Sequence, residues 1–336
     1  MRRLNLALLL VGLLTLIGLV WHIGPARIRE AAAGLGPLAL LIILLPSVLM
    51  YALETFGWRL TLGRYADSVA FWRLCAVRTA GEVVNMTTPT AYVGGEPLKA
   101  YLLQRSGVPL VEGLASVVTA KTTMTIAQVA FILLGIGLAF PRLGASGSSG
   151  GTVLAAGLGV GFLLAFTAAF LAIQHRGLFT GLLELLRGLK IRIAYLEHRE
   201  ERLRDLDRTI VSFYTGDRRR FLFSIGVCFL GWLAEALEVY AMLYYLGGPA
   251  DFLTAISIGA LSVFIKGGTF FIPGSVGAQE AGNLLLLVAF GYSDVTGLTF
   301  ALLRRLRELV WIGIGLVCLA ALGGKAAPAQ AGETGQ

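Results

Sequence analysis

The sequence predicts an all-α fold, a polytopic integral membrane helical bundle of about 8 helices with two broken or re-entrant segments. Of the 336 residues, 56% are hydrophobic and only 14% are charged, whereas soluble domains carry about 25% charged residues. The apolar residues gather into runs such as 4–23, 38–53 with its flanks, and 153–173, and such runs match the roughly 18 residues of a spanning helix. Proline and paired glycines interrupt this pattern at two places, where a regular helix cannot continue.

The first helix, at 4–23, is predicted to be retained rather than cleaved. Its apolar run is longer than the roughly 7–15 residues of a signal-peptide core, and more spans follow it. Arg2 and Arg3 put the N-terminus in the cytoplasm, since short loops rich in Lys and Arg stay inside. The second helix, at 37–58, returns the chain to that side, where four arginines follow it: Arg59, Arg64, Arg73 and Arg78.

The stretch 74–103 contains the first interruption and cannot be a simple lipid-facing helix. It carries several charges together with Asn85, Pro89 and the pair Gly94-Gly95, and basic residues flank it on both sides. If both flanks are cytoplasmic, the stretch enters the membrane and turns back, as a re-entrant hairpin or two broken half-helices. A surface loop is the plainer alternative, but the helical spacing of apolar residues in 91–103 favours re-entry.

The middle of the chain adds two spans and one charged segment. A long span at 112–140 is predicted to end at Pro141, and 153–173 returns the chain to the cytoplasm. The segment 174–220 combines a leucine stripe at helical spacing with charges of both signs, so we expect a cytoplasmic amphipathic helix. Such a helix either lies on lipid or packs against the cytoplasmic mouth of the bundle.

The last third of the chain holds the second interruption. The span 221–246 contains Glu235 and Glu238, and the span 252–265 precedes the breakers Pro273 and Gly274. The remaining pieces, whose topology is ambiguous, are short apolar runs at 284–290 and 295–303, a charged knot at 304–308 and a final helix at 309–322.

Many ionisable residues lie in or beside the apolar stretches. At bilayer depth each costs about 2.5–3.5 kcal/mol on insertion scales and therefore needs a partner, a wet cavity or a route to the interface. The candidates are Arg78, Glu82, Glu96, Lys99, Lys121, Glu235, Glu238, Lys266, Glu280 and Arg305. Glu235 and Glu238 share one helical face and should repel each other unless one is protonated or both meet cations, for which Lys121 and Lys266 are possible partners. A static buried ion pair is favoured over a proton-coupled carboxylate.

Glu96 and Glu280 each follow a proline by seven positions and lie 184 positions apart. This matching spacing is a weak signal of an internal repeat, an arrangement that in transporters places paired broken helices around one midplane site. Each carboxylate has a structural interpretation, as the partner of an arginine or the cap of a half-helix, and a functional one, as a contact for a polar substrate group. The two interpretations are compatible.

Several kinds of site are not expected. Three cysteines and three histidines are scattered without the spacing of a metal site or a disulfide framework, so we expect neither metal nor cofactor. No nucleophile with a nearby base and no cofactor motif is recognisable, and we expect no catalytic residues. The arginine-rich segment lacks base-reading features, so nucleic acid is not an expected partner.

The segments 93–103 (VGGEPLKAYLL), 272–280 (IPGSVGAQE) and 304–308 (RRLRE) resemble signatures of the lysylphosphatidylglycerol synthase transmembrane-region family, also called flippase-like domain proteins. The resemblance covers about 4–322. It implies one transmembrane flippase-like domain at 1–323, which includes the segment 174–220, and we expect 324–336 to be a disordered C-terminal tail. Some family members carry a cytoplasmic synthase domain that attaches lysine to phosphatidylglycerol, and we expect a stand-alone member without it.

The resemblance also supplies part of the expected set of substrate-binding residues, and the buried charges and helix breakers supply the rest. Gly94, Gly95, Glu96 and Lys99 match the first motif, and Gln279 in the second stands where a basic residue is common. The full expected set is Arg78, Glu82, Asn85, Pro89, Gly94, Gly95, Glu96, Lys99, Pro273, Gly274, Gly277, Gln279, Glu280, Arg304 and Arg305.

The function that the resemblance implies is a lipid translocase, or flippase, that moves a polar-headed lipid between leaflets of the bacterial inner (plasma) membrane. The expected partners are that lipid, the bilayer and cytoplasmic enzymes of lipid biosynthesis. Two alternatives stay open: an integral membrane enzyme that modifies a lipid with Glu96 and Glu280 as acid and base, and an accessory subunit of a lipid, hopanoid or glycolipid biosynthesis complex that recruits enzymes through 174–220.

Overall fold

The computed structural model describes residues 34–88, 94–144, 200–269, 275 and 277–324, together with isolated positions between 10 and 30 and at 161, 165 and 181. Within these ranges the chain is helical and has no strand. The predicted class, a polytopic helical membrane bundle, is therefore confirmed. The described helices are α1 Gly36–Thr61, α2 Phe71–Thr87, α3 Gly95–Gln104, α4 Leu110–Gly144, α5 Glu200–Gly216, α6 Arg218–Tyr245, α7 Phe252–Gly268, α8 Ala278–Ala289 and α9 Asp294–Gly324.

Four of these helices are long and apolar enough to cross a bilayer, namely α1, most of α4, α6 and most of α9. Polar caps mark where two of the described helices begin. The Asp217 carboxylate accepts a hydrogen bond from the Arg220 N–H at the start of α6, and Asp251 accepts one from Thr254 N–H at the start of α7. The predicted first helix at 4–23, the span at 153–173 and the segment 174–199 lie outside the continuously described residues.

The order of helix lengths occurs twice along the chain. Helices α1 to α4 have 26, 17, 10 and 35 residues, and α6 to α9 have 28, 17, 12 and 31. The last helix of each set begins at Leu110 and at Asp294, a separation of 184 positions that equals the one between Glu96 and Glu280. The weak repeat signal in the sequence thus corresponds to a repeated order of long, short, short and long helices.

Helices α2 and α3 form an antiparallel pair, called here the first hairpin. Near the connection, the Gly95 N–H of α3 donates to the Asn85 side chain of α2 at 2.7 Å. At the far end, the Arg73 guanidinium of α2 donates to the Arg105 carbonyl at 3.5 Å. The stretch 74–103 therefore consists of two broken helices that turn back on each other, and both of its flanks lie at one end of the hairpin.

Helices α7 and α8 form the second hairpin in the same way. The Ser262 hydroxyl donates to the Asn283 side chain at 2.7 Å between the two helices. Where the hairpin begins and ends, the Tyr292 hydroxyl donates to the Pro249 carbonyl at 2.6 Å. Burial, with the charge of Asp251 as a second cause, raises the pKa of the Tyr292 phenol, so this donor stays protonated and keeps the two ends together.

The two sets of helices are interlocked. Helix α1 packs along α6, while α7 of the second set packs on α4 of the first, and α9 of the second packs on α2 of the first. Small residues allow the close approach: a methyl group at Gly135 of α4 would overlap that of Ala260, and one at Gly315 of α9 would contact Val83 and the Thr79 carbonyl. Each hairpin is thus held by the long last helix of the other set.

The amphipathic segment is described for α5, which packs on α4. Leu206 and Ile210 are buried there against Ala115, and Val111 and Val118 border the contact. Of the two placements left open by the sequence, packing against the bundle is therefore the one adopted by 200–216. Exposed charged residues such as Arg204 and Arg208 lie elsewhere on the same helix.

Three predicted boundaries differ from the structure. Helix α4 continues past Pro141 to Gly144, because a proline removes one helical hydrogen bond without forcing the helix to end there. The triplet 218–220, predicted to belong to the cytoplasmic segment, forms the first turn of α6. The pieces 295–303, 304–308 and 309–322 are one continuous helix, α9, because its charged residues have partners inside the bundle.

We expect Gly135→Ala to destabilise the protein by about 1–3 kcal/mol, because the added methyl would overpack the α4–α7 contact. Gly137 in the same helix has nothing within 4 Å of the position that a Cβ would occupy. Gly137→Ala is therefore the matched control, and its Tm in detergent should be unchanged or slightly higher, since alanine favours the helix. Equal Tm values for the two variants would contradict the contact.

Candidate functional site

Buried ion pairs form two clusters in the described bundle, one in each set of helices. The first cluster consists of Glu54, Arg78, Glu82, Glu96, Lys99 and Lys121. The second consists of Glu235, Glu238, Lys266, Glu280, Arg304, Arg305, Arg307 and Glu308.

The Arg78 guanidinium of α2 is paired with the Glu54 carboxylate of α1, and both side chains are buried. The guanidinium carbon of Arg78 also lies 4.6 Å from the centre of the Tyr51 ring, one helical turn before Glu54. A cation held between a carboxylate and an aromatic face loses less on leaving water than an isolated cation does. This explains how α1, otherwise a hydrophobic helix, accommodates a carboxylate at Glu54.

Lys99 of α3 lies across α2 and connects two carboxylates. Its ammonium is 2.7 Å from Glu82 and 3.1 Å from Glu96. The Lys99 side chain can cross α2 here only because residue 81 is a glycine. A side chain at Gly81 would overlap the methylene carbons of Lys99. A methyl group at Gly95 would likewise overlap the Gly81 carbonyl oxygen. The glycines of the first hairpin therefore serve the close crossing of α2 and α3.

The Asn85 side chain caps the N-terminus of α3. Its side-chain oxygen accepts the Gly95 N–H at 2.7 Å, and its amide donates to Glu96 at 3.2 Å. Because the first N–H groups of a helix have no partner within it, this contact satisfies one of them, and Glu96 lies in the favourable field of the helix N-terminus. Gly94 is the residue before α3.

Lys121 of α4 faces the first hairpin. Its ammonium is 3.7 Å from the Glu96 carboxylate, a distance that is too long for a hydrogen bond. A small cavity with room for about one water molecule lies beside it. The residues that line this cavity are Trp58, Arg78, Glu96, Lys99, Val117, Ala120, Lys121 and Met124.

In the second cluster, α9 supplies arginines to the carboxylates of α6. Arg304 is 2.7 Å from Glu235, and Arg307 is 3.0 Å from Glu238 and 3.9 Å from Glu235. The predicted pairing of these glutamates with Lys121 and Lys266 is wrong. Lys121 contacts Glu96, and Lys266 contacts Glu308 at 2.5 Å. The two glutamates do share a face, but the helix that packs against that face is α9.

The second hairpin is tied to α9 by Glu280. Its carboxylate contacts Arg305 at 2.6 Å and accepts the Gly277 N–H at 2.8 Å, which caps the start of α8. Gly277 has a φ of +80°, a backbone conformation that favours glycine. Arg305 also contacts Glu308 at 2.6 Å, and the Gln279 amide donates to Glu308 at 3.3 Å.

Aromatic side chains lie where the two clusters approach each other. The Tyr51 ring, which contacts Arg78 of the first cluster, stacks on Trp311 of α9 with ring centres 3.6 Å apart. Trp311 lies one turn beyond Arg307 of the second cluster, so the two share a helical face. The Trp311 indole N–H donates to Ser47 of α1 at 2.9 Å. The clusters thus meet around one aromatic pair between α1 and α9.

The structure groups most of the predicted site residues around these clusters. Arg78, Glu82, Asn85, Gly95, Glu96 and Lys99 belong to or adjoin the first, and Gly277, Gln279, Glu280, Arg304 and Arg305 to the second. Pro89, Pro273 and Gly274 lie outside the described residues. Glu54 was missed, although a single carboxylate in the apolar run of 36–61 is a signal that the sequence contains.

Among the described residues, no group of three or more His, Cys, Asp or Glu side chains could hold a metal ion. The three cysteines are free, and Cys228 is buried between α6 and α1 near Gly57.

The fold and the two clusters define a class of protein: a multi-pass helical membrane protein with two interlocked helix hairpins around buried, paired charges. A family model described as the lysylphosphatidylglycerol synthase transmembrane region matches residues 5–316, and the chain belongs to this family. It is also similar to a protein of Methanothermobacter thermautotrophicus described as a UPF0104 membrane protein, with 24% identity over 310 residues that cover 88% of each chain.

A double-mutant cycle on Glu54 and Arg78 tests whether the first cluster depends on charge pairing. Each single variant, Glu54→Leu or Arg78→Leu, leaves a buried charge unpaired and should destabilise the protein by about 3–5 kcal/mol. The double variant should be more stable than either single variant, because no charge is then left without its partner. Additive losses of Tm in detergent would contradict a direct pair.

Proposed function

We propose that this protein is a lipid translocase that moves a polar-headed lipid between the two leaflets of the membrane. The observation that carries the proposal is the presence of two buried ion-pair clusters, built on two broken-helix hairpins, in a chain that is otherwise strongly apolar. Charges inside membrane proteins are costly and commonly mark a route for a polar substrate. Broken helices facing a shared interior are also a feature of transporters.

The balance of charges suits passage of a headgroup. The first cluster has three acids and three bases, and the second has four of each. Because each charge has a partner, the interior can be polar without a large net charge. In this proposal a headgroup exchanges contacts with these pairs one after another while the acyl chains stay in the bilayer.

The described conformation corresponds to a closed state in this proposal. The cavity of the first cluster has room for about one water molecule and is too small for a lipid headgroup. Transport therefore requires the hairpins to move relative to α4 and α9. The Glu96–Lys121 contact, at 3.7 Å, is the longest link in the first cluster and is where we expect opening to begin.

Location and partners follow the same proposal. We infer a cytoplasmic N-terminus from the positive residues that flank the first two predicted spans, and a bacterial inner membrane from the family resemblance. The charged α5 helix then lies on the cytoplasmic side, where enzymes of lipid biosynthesis are available as partners. A lipid-modifying enzyme with Glu96 and Glu280 as acid and base is less well supported, since the two carboxylates belong to different clusters and each contacts a cation.

Reconstitution into vesicles with fluorescent lipids tests the translocase. Wild-type protein should speed the loss of inner-leaflet protection for a polar-headed fluorescent lipid, as followed by a membrane-impermeant quencher added outside the vesicles. Glu280→Gln, which weakens the link between α8 and α9, should change the exchange rate by about tenfold or more. The matched control is Glu112→Gln, which removes a carboxylate from a surface pair with Arg64 and should leave the rate nearly unchanged.

The proposal would be contradicted if vesicles with wild-type protein exchange no lipid faster than protein-free vesicles do. The Tm of the reconstituted protein must show that it is folded. Equal rates for wild-type protein and Glu280→Gln would instead remove the second hairpin from the route.

A further inference from the structure

Two of the three cations that line the cavity of the first cluster have hydrogen-bonding capacity that is not used within the described chain. Arg78 and Lys121 lie on its wall, and they come from different helices, α2 and α4. The other lysine on the wall, Lys99, is already held by Glu82 and Glu96. Arg78 and Lys121 are therefore the two lining cations that are available to a ligand.

Arg78 has donors to spare. Its Nη2 group contacts Glu54, but its Nε and Nη1 atoms are buried and have no hydrogen-bond partner in the described ranges. Buried donors without acceptors are costly, about 1–3 kcal/mol each and more when the group is charged. An acceptor that enters the cavity would remove this cost. The guanidinium geometry favours an oxyanion with more than one oxygen.

Lys121 is the second under-used cation. Its nearest carboxylate oxygen in the described bundle belongs to Glu96 and is 3.7 Å away. Its side chain is 39% exposed, so it can be reached. Glu96 also contacts Lys99 at 3.1 Å and Asn85 at 3.2 Å, and it therefore keeps partners if Lys121 turns to a ligand. Exchange at Lys121 costs the cluster little.

The equivalent position in the second set of helices is occupied differently. Arg305 lies 184 positions after Lys121, the same separation as between Glu280 and Glu96. Its guanidinium contacts Glu280 and Glu308, both at 2.6 Å, and its side chain is only 3% exposed. The same helix position thus holds a closed ion pair in one half and an accessible, loosely paired cation in the other.

We propose that Arg78 and Lys121 together bind the anionic oxygens of a phosphate group in the cavity of the first cluster. A tetrahedral phosphate offers acceptors to both cations, which approach from different helices. The space for one water molecule fits one such oxygen, so the rest of the group enters as Lys121 moves away from Glu96. The phosphate of a lipid headgroup and free phosphate share this chemistry. The lipid source rests on the proposed function.

Binding in a maltoside detergent, which contains no phosphate, tests the site. The probes are phosphatidic acid and diacylglycerol with the same fluorescent acyl chain, so the two lipids differ only in the phosphate. Wild-type protein should bind phosphatidic acid about tenfold more tightly than diacylglycerol, and Lys121→Gln should lose about this factor for phosphatidic acid alone. Lys121→Arg should retain the preference, since it keeps the charge.

Arg64→Gln is the matched control. It also removes one positive charge from the same set of helices, but Arg64 is exposed and outside the cavity, so its affinities should equal those of the wild type. Equal binding of phosphatidic acid by Lys121→Gln and wild-type protein, at matched ionic strength, would rule out the lipid as the source of the phosphate. So would an equal loss in Arg64→Gln, because the effect would then be general surface charge.

A third arm separates the two sources of phosphate. If the ligand is free phosphate, inorganic phosphate alone should raise the Tm of the wild type but not of Lys121→Gln, while the two lipids bind alike. If neither lipid preference nor Tm shift depends on Lys121, the proposal is wrong. If phosphatidic acid binding depends on Lys121 but the protein does not speed lipid exchange in vesicles, only the proposed translocase function is contradicted. If the protein speeds lipid exchange but binding does not depend on Lys121, only the proposed phosphate site is contradicted.

Discussion

The need to pair every ionised group inside an apolar bundle is the constraint on which the rest of the structure depends. Lys99 reaches Glu82 and Glu96 only because Gly81 and Gly95 let two helices cross closely. Arg304 and Arg307 can lie in the middle of α9 because Glu235 and Glu238 face them from α6. The cost of burying one charge of either sign is greater than the cost of burying a pair. Breaks, glycines and helix contacts are therefore arranged around the pairs.

The repeated order of helices gives these pairs a common plan with one difference between the halves. In both, a glutamate in the first turn of a short helix contacts a cation on the long helix that follows, Glu96 with Lys121 and Glu280 with Arg305. The second pair is short and its arginine is buried, whereas the first is long and borders a cavity. Since each hairpin packs on the long helix of the other set, the helices that carry one pair are in contact with the helices that carry the other. The stacked rings of Tyr51 and Trp311 provide a direct contact between α1 of the first set and α9 of the second.

Local features of the sequence predicted the membrane class, the approximate positions of the long helices α1, α4 and α6 and the two broken segments, because apolar runs and helix breakers are local signals. Pairing across the bundle could not be predicted in this way. Glu235 and Glu238 were correctly placed on one face, but the choice of Arg304 and Arg307 depends on which helix packs there. The same limit explains the error at 304–308, where a charged knot was expected to separate helices and instead continues α9. Charges end a membrane helix when only water can solvate them. Here carboxylates of α6, α8 and α9 pair with the arginines of α9 instead, so the helix continues.

Accessibility of engineered cysteines tests most directly whether the first hairpin enters the membrane and turns back. In a variant without Cys75, Cys228 and Cys318, single cysteines would replace Ser68 and Gln104 at the hairpin ends and Thr88 at its connection. With a membrane-impermeant maleimide in sealed vesicles, the two ends should be labelled from one and the same side, and position 88 should be protected from that side. Labelling of the two ends from opposite sides, or equally fast labelling of position 88 from the side of the ends, would contradict an inserted hairpin.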